Sequence, residues 1–368
     1  MDNDPETILQ IVPRLPGTRD GVGDYALNLA RALLTRHRLS TVFAVAEQTA
    51  VTVKDGFPIA ELSLDSVESL AQRYRHVILH YVNYGYQPRG IPFQLRDFSQ
   101  QLRSHLSGRW ITVFHELYAF GPPWRSAFWL RPFQVKIARN LIDLSDTCFV
   151  SNDVIANEIR AYDSNKAVRI LPVMSNFGEP ELNKFGERSP GRWAICGGTA
   201  LILRSLRSFQ TAQRMIPEIY RPQQLDVIGG SDDARIRNLL RDICQSSPGL
   251  SCRYHPEIAV GRASEILRDC AFGWINYFGR GRVWSGMIFK STAFAACCAH
   301  GVVPILQHEE DIIAVNEDAL PGPFFITRQK ARLPDPQRMP ETRENVYRWY
   351  HRHASSTQAA HAYAEALA

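Results

Sequence analysis

Residues 14–34 of the chain read RLPGTRDGVGDYALNLARALL, a glycine-containing loop that leads directly into an amphipathic helix. The apolar run at 8–12 predicts a buried strand immediately before this loop. Gly21 and Gly23 allow the loop backbone to approach a ligand closely, and Asp24 is predicted to cap the helix. In a parallel sheet such a loop lies at the carboxyl edge, where free N–H groups of a helix N-terminus bind anions. The stretch therefore predicts an α/β fold with an anion site beside the two glycines.

The alternation of strands and helices continues along the chain, breaks once and then restarts. It predicts, among other elements, a helix from about Pro132 to Leu144 and strands at 224–228 and 302–306. Residues 173–191 have little apolar periodicity and many turn-forming residues, which is typical of a linker. Beyond them the alternation resumes with short apolar strands, two of which run into glycine pairs. We therefore expect two Rossmann-like α/β domains facing a central cleft, one at 1–172 and one at 192–340. The tail at 341–368 is strongly helical, and we expect it to pack back across the domains.

The composition describes an ordinary folded protein of 368 residues, 45% apolar, with a formal net charge of +5. This length suits two domains, and the mild charge without a basic block leads us to expect no nucleic-acid partner. No apolar stretch of about 20 residues could span a bilayer, and the acidic start MDNDPET is not typical of a secretory signal. The seven cysteines form no CxxC pair, which predicts buried thiols in a reducing cytoplasm.

We expect no metal site. The Asp-x-Asp match in the sequence consists of Asp2 and Asp4, which precede the first predicted strand. The chain also lacks an HxxxH motif or a Cys/His cluster with the spacing of a zinc site.

Several stretches, taken in order, resemble the glycosyltransferases of the GT-B architecture, and most of all the family 4 group. They are GVGDYALNLARALL near the start, HYVNYGY at 80–86, ITVFHELYAFGPPW at 111–124, SDTCFVSNDVIANEI at 145–159, ILPVMSNF at 170–177, GG at 229–230 and KSTAFAACCAHGVVPI at 290–305. Together they cover almost the whole chain, and their order and spacing carry the resemblance.

This resemblance implies a retaining hexosyltransferase without a bound metal or other cofactor. A nucleotide-diphosphate sugar would serve as co-substrate in the C-terminal domain, and a carbohydrate or lipid-linked acceptor would occupy the N-terminal domain. Fixed cations and backbone N–H groups would stabilise the diphosphate as it gains negative charge. The product would be a bacterial-type polysaccharide or glycoconjugate, and a lipid-linked acceptor would bring the enzyme to the inner membrane face.

The resemblance also implies catalytic roles for His115, Arg204 and Lys290. His115 ends an apolar strand and would approach the donor sugar, while the guanidinium fork of Arg204 suits two phosphate oxygens. Further contacts to the donor are expected from Gly21, Gly23, Gly198, Gly230, Ser291, Arg207 and Glu309. Each assignment has a structural alternative, which is a hydrogen-bonded strand-end residue for His115 and a solvent-exposed helix face for the cations.

Aromatic residues follow two predicted strands of the first domain, and flat rings of this kind stack on sugar faces. We expect an acceptor groove lined by Tyr84, Tyr86, Tyr118 and Trp124. The alternative is a local hydrophobic cluster that packs the FGPPW segment against the domain.

One departure from the family pattern concerns its two glutamates, which stand eight residues apart. Ile288 and Ala296 occupy those positions here, so neither can accept a hydrogen bond from a sugar hydroxyl. Glu309 and Glu310, just past the next predicted strand, would have to supply carboxylates from elsewhere. The departure leaves open a glycosyltransferase-like binding subunit that has lost turnover.

A nicotinamide-dependent oxidoreductase is a second alternative. It would use the glycines of the first loop together with Glu47, an acid at the end of the second predicted strand. The loop, however, is longer than the dinucleotide fingerprint allows, and Ala26 stands where the third glycine belongs.

Overall fold

The computed structural model of the protein divides into two compact units. It describes residues 6–17, 21–182, 185, 188–278 and 286–368, so Asp2 and Asp4 lie outside the described residues. The units are Met1–Leu171 together with Ser356–Ala368, and Pro172–Ser355. No helix in the described ranges is long and apolar enough to cross a lipid bilayer, and no group of three metal-ligating side chains comes together in them.

The first unit is built on a mostly parallel sheet. Its described strands are β1 (Glu6–Val12), β2 (Leu39–Val45), β3 (Val53–Lys54), β4 (Phe57–Glu61), β5 (Val77–Tyr81), β6 (Trp110–Phe114), β7 (Thr147–Val150) and β8 (Ala167–Ile170). They lie in the order β3-β4-β2-β1-β5-β6-β7-β8, with β3 antiparallel to β4 and the other neighbours parallel. β1 and β5 are fully buried or nearly so at their carboxyl ends, as expected for strands covered on both faces.

Helices cover the first sheet on its two faces. They are α1 (Gly21–His37), α2 (Val67–Arg73), α3 (Asn83–Tyr86), α4 (Phe93–His105), α5 (Ser126–Leu144) and α6 (Asp153–Tyr162). The chain adds strands on one side of β1 up to β4 and on the other side from β5 onward. Such a reversal leaves a crevice at the carboxyl ends of the two strands that flank it, here β1 and β5.

Two helices of this unit begin earlier than the sequence predicts. α1 begins at Gly21, so Asp24 is not its cap but lies in its first turn, where a carboxylate suits the helix dipole. α5 begins at Ser126 and continues through Pro132, although proline is best tolerated in a first helical turn. Its first two turns therefore carry residues for which the sequence predicted no helix.

The second unit repeats the design with a second mostly parallel sheet. Its main strands are β9 (Arg192–Cys196), β10 (Gln224–Ile228), β11 (Ser251–His255), β12 (Phe272–Ile275) and β13 (Val303–Leu306), followed by β14 (Ala314–Val315), β15 (Asp318–Ala319), β16 (Phe324–Ile326) and β17 (Ala331–Arg332). The sheet order is β11-β10-β9-β12-β13-β16-β17, and β14 pairs with β15 in a separate hairpin. The reversal of strand order falls between β9 and β12.

Four helices pack on this sheet or beside it within the described residues, together with a longer one near the C-terminus. They are α7 (Thr199–Ala212), α8 (Ala234–Ser246), α9 (Val260–Asp269), α10 (Thr292–Ala299) and α11 (Met339–His353). Their apolar faces form the core with large aromatic side chains, and Trp193, Phe272 and Trp274 are at most 1% exposed.

The segment at 173–191 belongs to the second unit. The backbone N–H of Val173 donates to the carbonyl of Phe289 at 2.9 Å. The guanidinium of Arg188 donates to three backbone carbonyls at 3.4, 2.6 and 2.9 Å, those of Leu267, Cys270 and His300. A partly buried arginine held by three acceptors ties this segment to the ends of α9 and α10.

The helical tail divides between the two units. α11 packs against α10 in the second unit, whereas α12 (Ser356–Leu367) packs against α1 in the first. The fully buried ring of Tyr363 on α12 stacks on Phe149, with the ring centroids 4.1 Å apart. Its hydroxyl lies 3.1 Å from the hydroxyl of Tyr25 on α1. The last helix of the chain is thus part of the core of the first unit.

Candidate functional site

A buried row of polar side chains runs to His115 at the carboxyl edge of the first sheet. Gln10 on β1 donates from Nε2 to Thr41 Oγ1 at 3.0 Å. Gln10 Oε1 lies 2.9 Å from His80 Nε2, and His80 Nδ1 lies 3.3 Å from His115 Nε2. Gln10, Thr41 and His80 are 0% exposed, whereas His115, the residue after β6, is partly exposed. The row therefore leads from the core to an accessible imidazole.

The hydrogen-bond directions in this row follow from the chemistry of its members. Because the amide N–H of Gln10 is used by Thr41, its oxygen accepts the Nε2–H of His80. Burial, reinforced by the neighbouring His115, holds the pKa of His80 well below its usual value, so His80 is neutral. A neutral ring protonated on Nε2 has a lone pair on Nδ1, which accepts the Nε2–H of His115. The row thus fixes which nitrogen of His115 carries a proton.

The ring of Tyr25 holds His115 from a second direction and connects it to α1. The ring centroids of Tyr25 and His115 are 5.3 Å apart in an edge-to-face arrangement. Burial raises the pKa of Tyr25 to about 12, so its hydroxyl stays neutral beside Tyr363. Since Tyr25 lies in the first turns of α1, the structure brings exposed Gly21 and buried Gly23 to the same edge of the sheet as His115.

The sequence did not predict that Gln10, His80, Tyr25 and Tyr363 belong to this site. A signal existed for the first two, because a glutamine and a histidine interrupt the apolar strands ILQIV and VILHY. A polar residue within a fully buried strand requires a hydrogen-bond partner. Its spacing in the sequence does not reveal which strand supplies that partner.

The four aromatic residues predicted to line an acceptor groove occupy different settings. Tyr86 is partly buried and donates to the carbonyls of Ile11 and His80, at 3.2 and 2.9 Å. The hydroxyl of Tyr118 donates to Glu158. Tyr84 is 38% exposed and Trp124 is 83% exposed. Exposed Trp124 shows that the FGPPW segment does not pack its tryptophan against the unit.

A cavity of about 490 Å³ lies beside the end of β2 in the first unit. Among the residues that the structure describes, its lining includes Glu47 and Glu61, together with small polar and apolar residues and no lysine or arginine. Two carboxylates without a cation disfavour a phosphate-containing ligand there. Glu47 therefore lies in surroundings that do not suit a dinucleotide.

In the second unit, two glycine turns meet at the carboxyl ends of β9 and β10. Gly197, Gly229 and Gly230 have positive φ angles of 130°, 94° and 68°. A Cβ on Gly229 would lie 2.8 Å from the carbonyl oxygen of Gly197, so only glycine allows this close approach. Thr199 Oγ1 accepts the backbone N–H of Ser231 at 2.9 Å and joins the two turns.

These turns surround the N-terminus of α7. Gly198 is its N-cap, is exposed and provides no side-chain hydrogen bond to the first turn. The first N–H groups of a helix without a side-chain cap are available to an anion, and the dipole favours negative charge there. Gly198 and Gly230 therefore lie together at the edge where parallel sheets bind ligands.

Arg204 projects from the second turn of α7 toward the end of β12. Its Nε donates to the carbonyl of Asn276 at 2.6 Å, and Asn276 follows β12 directly. Within the described part of the chain, no acceptor is bonded to its two terminal amino groups. Arg207, one turn farther along, is exposed. The reversal point between β9 and β12 thus carries an oriented guanidinium fork.

Lys290 and Ser291 lie at the start of α10. Ser291 is 1% exposed, and its Oγ accepts the backbone N–H of Phe294 at 3.2 Å as the helix cap. Lys290 ends a short 3₁₀ turn and is partly exposed. The serine hydroxyl is thus used within the helix end, and Lys290 is the more exposed residue of this pair.

The two positions of the family's glutamates are packed into the apolar core. Ile288 is 2% exposed and Ala296 is 0% exposed. Replacing either by a carboxylate would require burying an unpaired charge. The absence of glutamate from these two positions therefore agrees with their packing in the core.

Two glutamates follow β13, and they differ in environment. Glu309 is exposed and pairs with Lys330 at 3.1 Å. The side chain of Glu310 is 13% exposed and lies 3.3 Å from His308 Nε2. Burial raises the pKa of Glu310 and lowers that of His308 to about 4. Glu310, rather than Glu309, is the carboxylate held in a desolvated setting.

Comparison with known proteins identifies the fold of the chain. No protein-family model matches the sequence, and no curated protein matches it either. A solved alpha-glucosyltransferase in complex with UDP-glucose and DNA containing an abasic site is similar over 98% of this chain and 99% of its own, with a TM-score of 0.59 and 12% identity. The chain has the GT-B fold.

Two further structures support this conclusion. The pneumococcal O-GlcNAc transferase GtfA in complex with UDP and GlcNAc is similar over 99% of each chain, with a TM-score of 0.58 and 10% identity. The apo form of the lipopolysaccharide outer core galactosyltransferase WaaB is similar over 98% of this chain and 99% of its own, with a TM-score of 0.54 and 10% identity. These three fold neighbours are glycosyltransferases, while family 4 membership stays a prediction.

The same comparisons overturn the expectation of no nucleic-acid partner. Solved alpha-glucosyltransferases that share the fold were crystallised with DNA, including DNA with an abasic site, an A:G mismatch or an HMU base. That expectation rested on net charge, which averages over the whole surface and does not report a local binding face. The expectation that the protein has no nucleic-acid partner was therefore wrong.

Proposed function

We propose that the protein is a glycosyltransferase that moves a sugar from a nucleotide diphosphate to a carbohydrate or lipid-linked acceptor. The observation that supports this proposal is that two glycine turns surround the N-terminus of α7 in the second unit, and that Arg204 lies on the second turn of the same helix. It lies in a fold whose solved neighbours include structures with UDP or UDP-glucose. Fold alone does not determine activity, so the chemistry of this site is what connects the fold to the reaction.

The leaving diphosphate requires positive charge that is already in place. In our proposal the N–H groups of α7 bind one phosphate and the fork of Arg204 takes two oxygens. Lys290 supplies a third positive group from the start of α10. Preoriented donors of this kind stabilise developing negative charge without reorganisation, so the proposed reaction needs no metal ion.

His115 is assigned to the transferred sugar. Its Nε2–H is directed to His80, so the imidazole is held in one orientation, and His115 is partly exposed at the carboxyl edge of the first sheet. We infer retention of the anomeric configuration, with the leaving phosphate accepting the proton of the acceptor hydroxyl on the same face. The protein then positions the reactants and stabilises charge, and no separate general base is required.

We further infer that the reaction takes place in the cytoplasm and builds a bacterial-type polysaccharide or glycoconjugate. Free cysteines support the first part, since several of the seven are buried and burial raises the pKa of the Cys148 and Cys270 thiols to about 12. Thiols of this kind suit a reducing compartment. The second part follows from the family resemblance of the sequence.

A second candidate is a sugar-nucleotide-binding subunit without turnover. The burial of Ile288 and Ala296 in apolar surroundings favours it, because the usual carboxylates are absent from those positions. Binding would then persist while transfer and hydrolysis are lost.

Calorimetric titration with UDP, GDP, dTDP, ADP and NAD, without added metal, tests the donor site. We expect one nucleoside diphosphate to bind, and Arg204→Ala to weaken it by about 10–100-fold, because a charged hydrogen bond contributes about 1.5–3 kcal/mol. Arg214→Ala is the control, since this exposed arginine lies just beyond the end of the same helix. Binding of NAD alone, or equal effects of the two substitutions, would contradict the assignment.

A further inference from the structure

An exposed aromatic surface lies on the first unit where α5 begins. It consists of Phe93, Trp124, Phe128, Trp129 and Phe133, which we name the aromatic patch. Their side chains are 40%, 83%, 43%, 67% and 50% exposed. Tryptophan and phenylalanine are buried in most folded proteins, and an exposed cluster of them marks an interaction surface.

The patch arises because the first half of α5 is apolar on the side that faces solvent. The buried face of the helix is formed by Gln134, Ile137, Ala138, Leu141 and Ile142. Phe128, Trp129 and Phe133 lie on the opposite side, where a surface helix is ordinarily polar. These rings therefore take no part in the core of the unit.

Contacts within the patch hold its rings in place. Trp129 Nε1 donates to the carbonyl of Pro123 at 2.8 Å, which fixes the loop beside the helix. The rings of Phe128 and Trp129 meet edge to face at 5.3 Å, and those of Phe93 and Phe133 at 6.4 Å. Their high exposure means that the rings project from the surface rather than line a groove.

The segment of the chain that carries most of the aromatic patch has charged residues of one sign. Between 117 and 142 the sequence has four cations, Arg125, Arg131, Lys136 and Arg139, and no aspartate or glutamate. Arg125, Lys136 and Arg139 are exposed. On α4, Arg96 lies over the ring of Phe93 and is paired with Asp97. The surroundings are thus predominantly cationic.

We propose that the aromatic patch binds the surface of an anionic lipid bilayer. Tryptophan and phenylalanine partition into the interface between headgroups and acyl chains, and lysine and arginine beside them attract acidic headgroups. A projecting surface suits a bilayer, whereas single-stranded nucleic acid is held by aromatic rings within a charged groove. The inference depends on this surface alone and not on glycosyl transfer.

Co-sedimentation of the full chain with lipid vesicles tests the proposal. We expect binding to vesicles of phosphatidylcholine mixed with phosphatidylglycerol, and weaker binding to phosphatidylcholine alone. The double variant Trp124→Ser, Trp129→Ser is expected to reduce the bound fraction roughly ten-fold, because two interfacial anchors are lost. Added salt is expected to weaken binding, since it screens the cations from the headgroups.

A matched control removes exposed apolar side chains elsewhere. Val260 and Ile312 in the second unit are 53% and 63% exposed, and the double variant Val260→Ser, Ile312→Ser should bind vesicles like the unmodified protein. Equal binding by the tryptophan variant and the unmodified protein would overturn the proposal. So would an absence of vesicle binding, including the case in which the tryptophan variant instead loses binding to a labelled single-stranded DNA.

Discussion

Replacing His115 with alanine is expected to lower kcat/KM for consumption of the sugar nucleotide by about 10²–10³-fold, the usual effect of losing a preoriented group at the reacting centre. The imidazole is held by His80 and Tyr25, so its geometry is fixed before substrate binds. The loss should fall on kcat more than on KM, because the proposed contact strengthens as the sugar becomes oxocarbenium-like. Release of the nucleoside diphosphate from the donor that binds provides the measurement.

The control for this experiment is His105→Ala, which removes an exposed histidine at the end of α4 in the same unit. It should leave kcat/KM unchanged. His80→Leu should give an intermediate loss in kcat, since it removes the acceptor that orients His115 without touching substrate. A His115→Ala variant that turns over within two-fold of the unmodified protein, roughly the scatter of neutral substitutions, would contradict the assignment.

The free energy of unfolding is expected to fall by about 3 kcal/mol between pH 6.5 and pH 4 on account of His300. His300 is 0% exposed, and burial lowers its pKa from 6.5 to about 4, with Arg188 and Arg268 adding to the cost of a charge there. In this range the unfolded chain binds a proton that the folded chain does not. The contribution of His300 to the free energy of unfolding is therefore complete above pH 6.5 and is lost as pH falls toward 4.

Comparison with His300→Asn isolates this contribution from that of other buried histidines. The Nδ1 of His300 lies 2.8 Å from the carbonyl of Ala296, and its Nε2 lies 2.8 Å from the hydroxyl of Ser264. An asparagine amide can keep the first bond but does not titrate. Denaturant unfolding at several pH values should show a shallower loss in the variant, with His105→Asn as the exposed control. Equal slopes would contradict the account.

Much of the fold was predictable because it rests on local patterns. The apolar runs at 8–12, 224–228 and 302–306 became strands β1, β10 and β13 within one or two residues. Glycine pairs after strands became the turns at Gly197 and Gly229, where positive φ excludes other residues. These features depend on a few neighbouring residues, so they can be predicted from the local sequence.

Features decided by tertiary contacts were harder to predict. Proline at 132 indicated a helix start, yet packing of the buried face of α5 carries the helix back to Ser126. The short strands β16 and β17 extend the second sheet without a clear alternating pattern of their own. In each case long-range packing outweighs the local preference.

The candidate site was partly predictable for the same reason. His115 and Arg204 stand after or near strand ends, so their edge of the sheet followed from topology. The hydrogen bond from His80 to Gln10 joins residues that are 70 positions apart, and no spacing rule connects them. A local cationic or aromatic face is likewise invisible to the net charge of +5, which explains how a nucleic-acid partner was wrongly excluded.

Release of nucleoside diphosphate from a panel of sugar nucleotides by the purified full chain decides between a glycosyltransferase and a binding subunit. We expect release from a sugar nucleotide whose base matches the one selected by calorimetry, and loss of that release in Arg204→Ala. Tight binding of a sugar nucleotide with no release, with or without carbohydrate and lipid-linked acceptors, would contradict the enzyme assignment and establish the binding-subunit alternative.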